Sequence, residues 1–414
     1  MTNKHKLIIL NNCLKQFLLA AQQPKHGILK GEALERESRG RSPLAPPARE
    51  KEVVPHMTQR EQQILEWIRE NPLISQQELA DRAGITRSSV GVHIANLMKK
   101  GHIKGRGYLV DEESYICVVG AVNVDISGTP DAAYVAGDSN PGHVRITLGG
   151  VGRNIAENLC RLGRRVVMIT ALGDDANAQM VRQGCREAGI DLSQSLTVQD
   201  GRTSTYLCLN DEQGEIVGAV SDMGIYEALT PAFLQTRLDI INRAALVVAD
   251  ANLTEEALAF LGENVTVPVF ADPVSTPKCR RLNGILKITA GIKPNRPEAA
   301  LMTGVDIRTD DDLPAAANVF HEMGVRNVFI SLGGRGVYFD DGGDRGILPI
   351  FAGNIINTNG CGDAFLAAAA DGYLMGLSVR DIARRGLAAS SLCAQSESAV
   401  TPHMSTEALQ GILD

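Results

Sequence analysis

No stretch of this 414-residue chain approaches the ~20 uninterrupted apolar residues of a membrane-spanning helix, so a soluble protein that does not span membranes is expected. Closely paired cysteines are missing too. Eight stand singly (Cys13, Cys117, Cys160, Cys185, Cys208, Cys279, Cys361, Cys393), which excludes a zinc-finger spacing and a secreted disulfide scaffold, and makes a reducing cytoplasm the expected compartment. Aromatic residues make up only 4%, so composition gives little support to a stacking surface. A secretory leader is poorly formed: Lys4 and Lys6 precede Leu7–Leu10 and Phe17–Ala21, but Asn11, Asn12, Lys15 and Gln16 interrupt the apolar runs and no small-residue cleavage site follows. What the chain does have, at 44% hydrophobic and 21% charged, is material for a large core, which excludes wholesale disorder.

The net charge of −7 is unevenly placed. Residues 1–56 carry +5, residues 57–110 carry +3 and residues 111–414 carry −15. A basic front on an acidic body suits nucleic acid at the front and small molecules in the body. Three domains are expected: 1–56, 57–111 and 112–414. The first has no sustained period, and its Arg39–Pro47 run is punctuated by proline and glycine, so it is read as disordered or as a mis-assigned extension, with Met57 an alternative start.

From Thr58 three helices follow closely. Thr58 with Glu61 and Ser75 with Glu78 are spaced as capping boxes, Ala83-Gly84 supplies a short turn, and Val90, Ile94 and Leu97 recur at helical spacing. The far face of the third helix carries Arg87, Ser88, Ser89 and His93, and a glycine-punctuated basic hairpin over 99–110 includes Lys104 and Arg106. This arrangement resembles a winged helix-turn-helix. The resemblance implies operator DNA as a partner, with the helix residues at base edges and Lys104 and Arg106 at phosphate. A protein-interaction module with a solvated basic face is the alternative.

Beyond Tyr115, short apolar runs (Ile116–Val119, Val166–Ile169, Leu246–Ala249, Val269–Ala271, Val328–Ser331) alternate with amphipathic stretches such as Ile155–Leu162 and Ala176–Ala188. The alternation predicts an α/β fold, a parallel sheet covered by helices on both faces, with the site beyond the strand carboxyl ends. Ala132–Leu148 and Thr203–Val220 read as hairpins of a small β lid, with turns at 140–142 and 211–214. Arg164-Arg165, Arg280-Arg281 and Arg384-Arg385 read as exposed faces.

The chemistry concentrates in two segments. Asn357-Thr358-Asn359-Gly360-Cys361-Gly362-Asp363 runs into a helix-forming stretch, so backbone amides converge where a helix presents its positive end, and an anion belongs there. Asp363 then sits beside an oxyanion pocket as a base for an attacking hydroxyl; alone, it would read equally as a helix cap. Leu148-Gly149-Gly150-Val151-Gly152-Arg153-Asn154 places three glycines before a helix, allowing close approach of a ligand to the backbone. As a dinucleotide fingerprint its spacing fails, which disfavours a nicotinamide-dependent oxidoreductase.

Together these segments resemble the paired signatures of the PfkB/ribokinase family of carbohydrate and nucleoside kinases, over roughly residues 115–405. The resemblance implies a ribokinase-like α/β/α sandwich with a β lid, ATP and Mg2+ as cofactors, and a homodimer. Val119–Asp125 matches the family's first strand, which gives Asp125 the sugar hydroxyls with Asn123 assisting; Gly149, Gly150 and Asn154 match the motif that closes around the sugar. Lys293-Pro294-Asn295-Arg296-Pro297-Glu298 matches the N-x-x-E element, which assigns Asn295 and Glu298 to magnesium through water. Ser331, Gly333 and Gly336 fall in the nucleotide-binding turn, Asp363 becomes the catalytic base, and Gly360, Cys361 and Gly362 its anion hole. The family commonly has Asp and Ala where this chain has Asn357 and Cys361; the first helps shape a monovalent-cation loop in related kinases, so potassium is a further cofactor that the resemblance implies and from whose loop Asn357 departs.

Ser221–Thr230 and Val248–Leu253 resemble the pseudouridine kinase branch, so the 5′-hydroxyl of a nucleoside is the first acceptor and a free pentose or hexose the second. Tyr206 or Tyr226 is available to stack on a base. A ligand-sensing transcription regulator with a kinase-like body is the rival of a different class, and an intact base and anion loop argue against it.

Overall fold

The computed structural model describes residues 57–72, 74–103 and 114–414, in two compact units divided between Val110 and Asp111. The expectations for residues 1–56 and for most of the basic hairpin, Lys104 and Arg106 included, lie outside the described residues.

In the first unit, helices α1 (Gln59–Glu70), α2 (Gln76–Ala83) and α3 (Arg87–Lys99) start on Thr58, Ser75 and Thr86, whose side chains accept from the amides of Glu61, Glu78 and Ser89. Glu61 and Glu78 reach back to complete both capping boxes, and Gly84 ends α2 in the left-handed region at φ 63°. Ile64, Ile68, Val90, Ile94 and Leu97 close the core between the helices. Lys100, at the start of the basic stretch, turns inward: its Nζ lies 2.7 Å from Glu61 Oε2, in a pair with little exposure.

That hydrogen bond and the one from the Thr58 amide hold the Glu61 carboxyl down at about 2, below its ordinary 4.5. Because the folded value is the lower one, the stabilisation is complete above pH 4.5 and disappears as pH falls toward 2. A shift of this size corresponds to about 3 kcal/mol. Trp67, the chain's one tryptophan, lies in α1 and reports this unit. In Glu61→Gln the acid transition followed by Trp67 fluorescence should move to higher pH; an unchanged transition removes the pair from the account.

The second unit contains fifteen strands: β1 (Tyr115–Val119), β2 (Asn123–Pro130), β3 (Gly142–Gly149), β4 (Arg165–Ile169), β5 (Ala171–Leu172), β6 (Ile190–Asp191), β7 (Leu196–Thr197), β8 (Thr205–Asn210), β9 (Ile216–Asp222), β10 (Leu246–Asp250), β11 (Val269–Asp272), β12 (Thr289–Ile292), β13 (Asn327–Ser331), β14 (Val337–Asp340) and β15 (Arg345–Leu348). Nine form the main sheet in the order β15-β14-β13-β12-β11-β10-β1-β4-β6. Alternate residues feed two cores: Cys117, Val119 and Val247 face one, Ile116, Val118 and Leu246 the other. Burial on both faces is why these strands read as unbroken apolar runs. The sheet is not wholly parallel: β14 pairs antiparallel with β13 and β15, because short turns join these strands where a parallel pair needs a crossover.

The helices that position the site are α4 (Val151–Arg161), α5 (Arg296–Thr303), α6 (Cys361–Leu374) and α7 (Val379–Ala394). Asp371 follows the buried apolar run Ala364–Ala370 of α6, so its charge needs compensation. Arg164 and Arg385, expected on exposed faces, supply it: Arg164 Nε donates to Oδ1 at 2.6 Å and Arg385, only 4% exposed, donates from Nε to Oδ2 at 2.9 Å.

The lid is a four-stranded sheet in the order β3-β2-β8-β9. Its first hairpin is longer than expected: the outgoing strand is 123–130, which continues from β1 through a turn, and 131–141 form the connection. In register, Thr147, Asp125, Tyr206 and Ser221 form one row across all four strands. The next row, Ile146, Ile126, Leu207 and Val220, points to the opposite face, where Ile146, Leu207 and Val220 are exposed. Among the described residues no helix is long and apolar enough to cross a membrane.

Candidate active site

Gly360 caps α6 at φ 77°, and a Cβ there would overlap the carbonyl of Ala399, so this turn requires glycine. No side chain caps the helix. The Cys361 amide turns back to Thr358 O at 3.3 Å, so the uncapped positive end of α6 is carried by the amides that follow. Along this loop the residues diverge to two cavities. Asn357, Asn359 and Gly360 line one of about 810 Å3; Thr358, Cys361 and Gly362 line one of about 380 Å3. The loop is therefore the wall between them.

Asp363, in the first turn of α6, is buried, and its Oδ2 accepts from Asn154 Nδ2 at 2.8 Å. Burial, then the negative charge of Asp272, raise its carboxyl to about 8 against the Asn154 hydrogen bond and the Lys293 charge, which lower it. Asn154 is delivered by α4, which starts on Gly150 at φ 97°. A Cβ at Gly150 would lie 2.6 Å from both Ala121 O and Val122 Cα, so the glycine allows the helix to abut the turn after β1.

The larger cavity also holds Asp125, Thr147, Arg153, Asn154 and Tyr206. Asn123 Nδ2 donates to Asp125 Oδ1, and burial pushes the Asp125 carboxyl up. A Cβ on Gly149 would overlap Asp125 Oδ2. Past Asp125 and Tyr206 the lid row reaches Ser221, which lines a further cavity of about 450 Å3 with Asn252, Lys278 and Arg281. Tyr226 lines the same cavity; it is buried, accepting from Val122 N at 2.8 Å and donating to Val122 O, which fixes the turn beside Gly150.

The smaller cavity brings together Lys293, Ser331, Gly333, Gly336 and Gly362. Asn295 and Glu298 are placed differently from a free ligand pair. They form the capping box of α5, Asn295 Oδ1 accepting from Glu298 N at 2.9 Å and Glu298 Oε2 from Asn295 N at 2.8 Å. Glu298 is buried, which pushes its carboxyl up. Asn357 also has both ends engaged, Nδ2 donating to Glu397 O and Oδ1 accepting from Asn359 N, each at 2.9 Å.

Three residues here were not among the expected site residues. Lys293 is nearly buried, its Nζ 3.8 Å from Asp272 Oδ2 and 3.0 Å from where a Cβ of Gly362 would stand. Asp272 Oδ2 is buried without a hydrogen-bond partner. Asp250 accepts from the amides of Ala121 and Asn252 at 2.8 and 2.9 Å and props the turn after β1. The signal for both aspartates was their position: each closes a central strand at its carboxyl end, in register with the other.

In the first unit, Arg87 and Ser88 are exposed on α3 while Ser89 and His93 are half-buried. The hydroxyls of Ser88 and Ser89 lie 2.9 and 2.8 Å from Thr86 Oγ1, so both are drawn to the helix start.

The family model for pfkB carbohydrate kinases matches residues 113–407, and that for winged helix-turn-helix DNA-binding domains matches 57–104. The uncharacterized sugar kinase YeiI of Escherichia coli K12 is 38% identical over 353 residues, covering 85% of this chain and 98% of the relative. The pseudouridine kinase of the same organism is 36% identical over 296 residues, covering 71% and 95%. Arabidopsis thaliana ribokinase, solved with ribose and ATP, superposes at a TM-score of 0.67 with 23% identity over 73% of this chain and 99% of that one, a likeness of fold.

Proposed function

The chain belongs to the pfkB family of carbohydrate kinases, ATP-dependent phosphotransferases with a hydroxyl acceptor, and from that membership we propose that it phosphorylates the 5′-hydroxyl of a nucleoside, pseudouridine first. The observation that carries the nucleoside reading is the lid row running past Asp125 into a further polar cavity, which leaves room for a ring system beyond a pentose. The match to a pseudouridine kinase along nearly its whole length supports it. A free pentose or hexose is the second reading, favoured by the name of the sugar kinase relative. The test is acceptor-dependent ADP release with pseudouridine, ordinary nucleosides and free sugars. A nucleoside should give the highest kcat/KM; a preference for ketohexose overturns the assignment.

In this reading Asp125, with Asn123, Gly149 and Gly150, holds the sugar hydroxyls in the larger cavity, and ATP lies along Ser331, Gly333 and Gly336 in the smaller one. Asp363 takes the proton of the attacking hydroxyl; Asn154 positions it through the 2.8 Å hydrogen bond. The Gly360–Gly362 turn and the positive end of α6 face the oxygens of the transferred phosphoryl group. Lys293 adds a fixed positive charge beside Gly362.

The site also fits magnesium. Asp272 presents a buried oxygen with no hydrogen-bond partner, Glu298 a second carboxylate near it, and among the described residues no group of three or more His, Cys, Asp or Glu converges. Two carboxylates acting largely through water suit an ion that keeps its hydration, so Asp272 and Glu298 would hold it, with Asn295 fixing Glu298. When bound, it neutralises phosphate charge. No step is assigned to potassium.

The first unit is a winged helix-turn-helix, and we propose that it binds operator DNA through Arg87, Ser88, Ser89 and His93, with Lys104 and Arg106 at phosphate. Binding to duplex DNA should weaken with salt at a slope of about −0.9 per phosphate contact. Association independent of salt argues for the protein-interaction alternative. The exposed apolar lid face is where a homodimer would pair.

A further inference from the structure

The wall between the two cavities carries a thiol that phosphoryl transfer does not use. Cys361, the first residue of α6, is half-buried and lines the smaller cavity. Behind it, in the last turn of α7, lies the fully buried Cys393. The two side chains share one packing cluster, and each is the largest influence on the other's ionisation. Both also reach the same loop: Cys361 Sγ lies 3.9 Å from Asn357 O, and Cys393 Sγ lies 3.3 Å from Ala399 O and 3.5 Å from Asn359 O, within reach of its one proton. Ala399 O is the carbonyl against which Gly360 turns. The pair is thus built into the backbone that shapes the anion turn.

We propose that Cys361 and Cys393 are an oxidative modification site, closed into a disulfide by a hydroperoxide, and that closure reshapes the Gly360–Gly362 turn and suppresses turnover. The Cys361 thiolate attacks one peroxide oxygen; the O–O bond breaks, an alcohol or water leaves with the proton, and the sulfur becomes a sulfenic acid. The Cys393 thiol then attacks that sulfur, the S–O bond breaks, water leaves and the disulfide forms. Two thiols and one peroxide are consumed, and a small-molecule thiol reverses the change.

The other described cysteines are poor competitors. The neighbouring Cys393 thiol holds Cys361 below its ordinary value, whereas burial raises Cys117, Cys160, Cys185, Cys208 and Cys279. The position of Cys361 at the positive end of α6 favours its thiolate further. Cys361 is the accessible member and Cys393 the resolving one.

The full chain is treated with hydrogen peroxide, then assayed for acceptor-dependent ADP release and analysed by peptide mass spectrometry without reduction. The expected result is a Cys361–Cys393 crosslinked peptide, two hydrogens lighter than the thiol pair, with turnover reduced about tenfold and restored by dithiothreitol. Cys393→Ala, compared with its own untreated rate, should lose the reversible component. Cys361→Ala, compared with its own untreated rate, should be insensitive at the same dose. Absence of the crosslink overturns the proposal, and so does reversible inactivation that persists in Cys393→Ala. A crosslink with unchanged turnover overturns the effect on the turn. The mass readout does not depend on the acceptor, so a wrong nucleoside assignment and a wrong thiol assignment fail separately.

Discussion

Asp363→Asn is expected to lower turnover about 10^3-fold, within the range lost with a general base, while ATP binding stays within about twofold of the parent. The substitution preserves shape, and the Asn154 amide can still meet an amide oxygen at the place of Asp363 Oδ2, so the packing of α4 on α6 survives. What disappears is a carboxylate able to accept a proton. ATP binding is read by equilibrium titration and turnover by acceptor-dependent ADP release. Near-normal turnover removes the base from the mechanism, and loss of ATP binding assigns Asp363 to folding of the α6 turn.

Lys293→Met is the second large effect, an expected loss of about 10^2 to 10^3 in kcat, the cost of removing one preorganised electrostatic group. Its ammonium lies between Asp272 and Gly362 and lowers the carboxyl of Asp363. Removing it therefore has a consequence that a packing defect lacks: the Asp363 carboxyl rises further, and the acid limb of the rate profile moves to higher pH. A uniform loss at every pH would make Lys293 a packing residue.

Much of this site was legible in the chain because it depends on local backbone needs. Gly150 and Gly360 stand where φ is positive and a Cβ has no room, and such glycines before helices are visible as spacing. The capping boxes at Thr58 and Ser75 were visible for the same reason. What sequence spacing hides is the company a residue acquires across the fold. Asn295 and Glu298 carry the spacing of a capping box, yet the burial that brings Glu298 near Asp272 comes from tertiary packing. Arg385 sits on a helix whose mixed composition suggests exposure; only its meeting with Asp371, fourteen residues earlier on another helix, explains its burial. Lys293 and Asp272 come from neighbouring strand ends twenty-one positions apart and touch because β11 and β12 are adjacent in the sheet. Cys361 and Cys393, thirty-two positions apart, meet where α6 packs on α7.

The pH dependence of kcat/KM for the nucleoside at saturating ATP tests the role of Asp363 most directly. The rate should rise through one ionisation in the region of 8, reporting deprotonation of Asp363, and that limb should be absent from the residual activity of Asp363→Asn. The same limb surviving in the variant would assign the proton acceptor to another group and contradict the account.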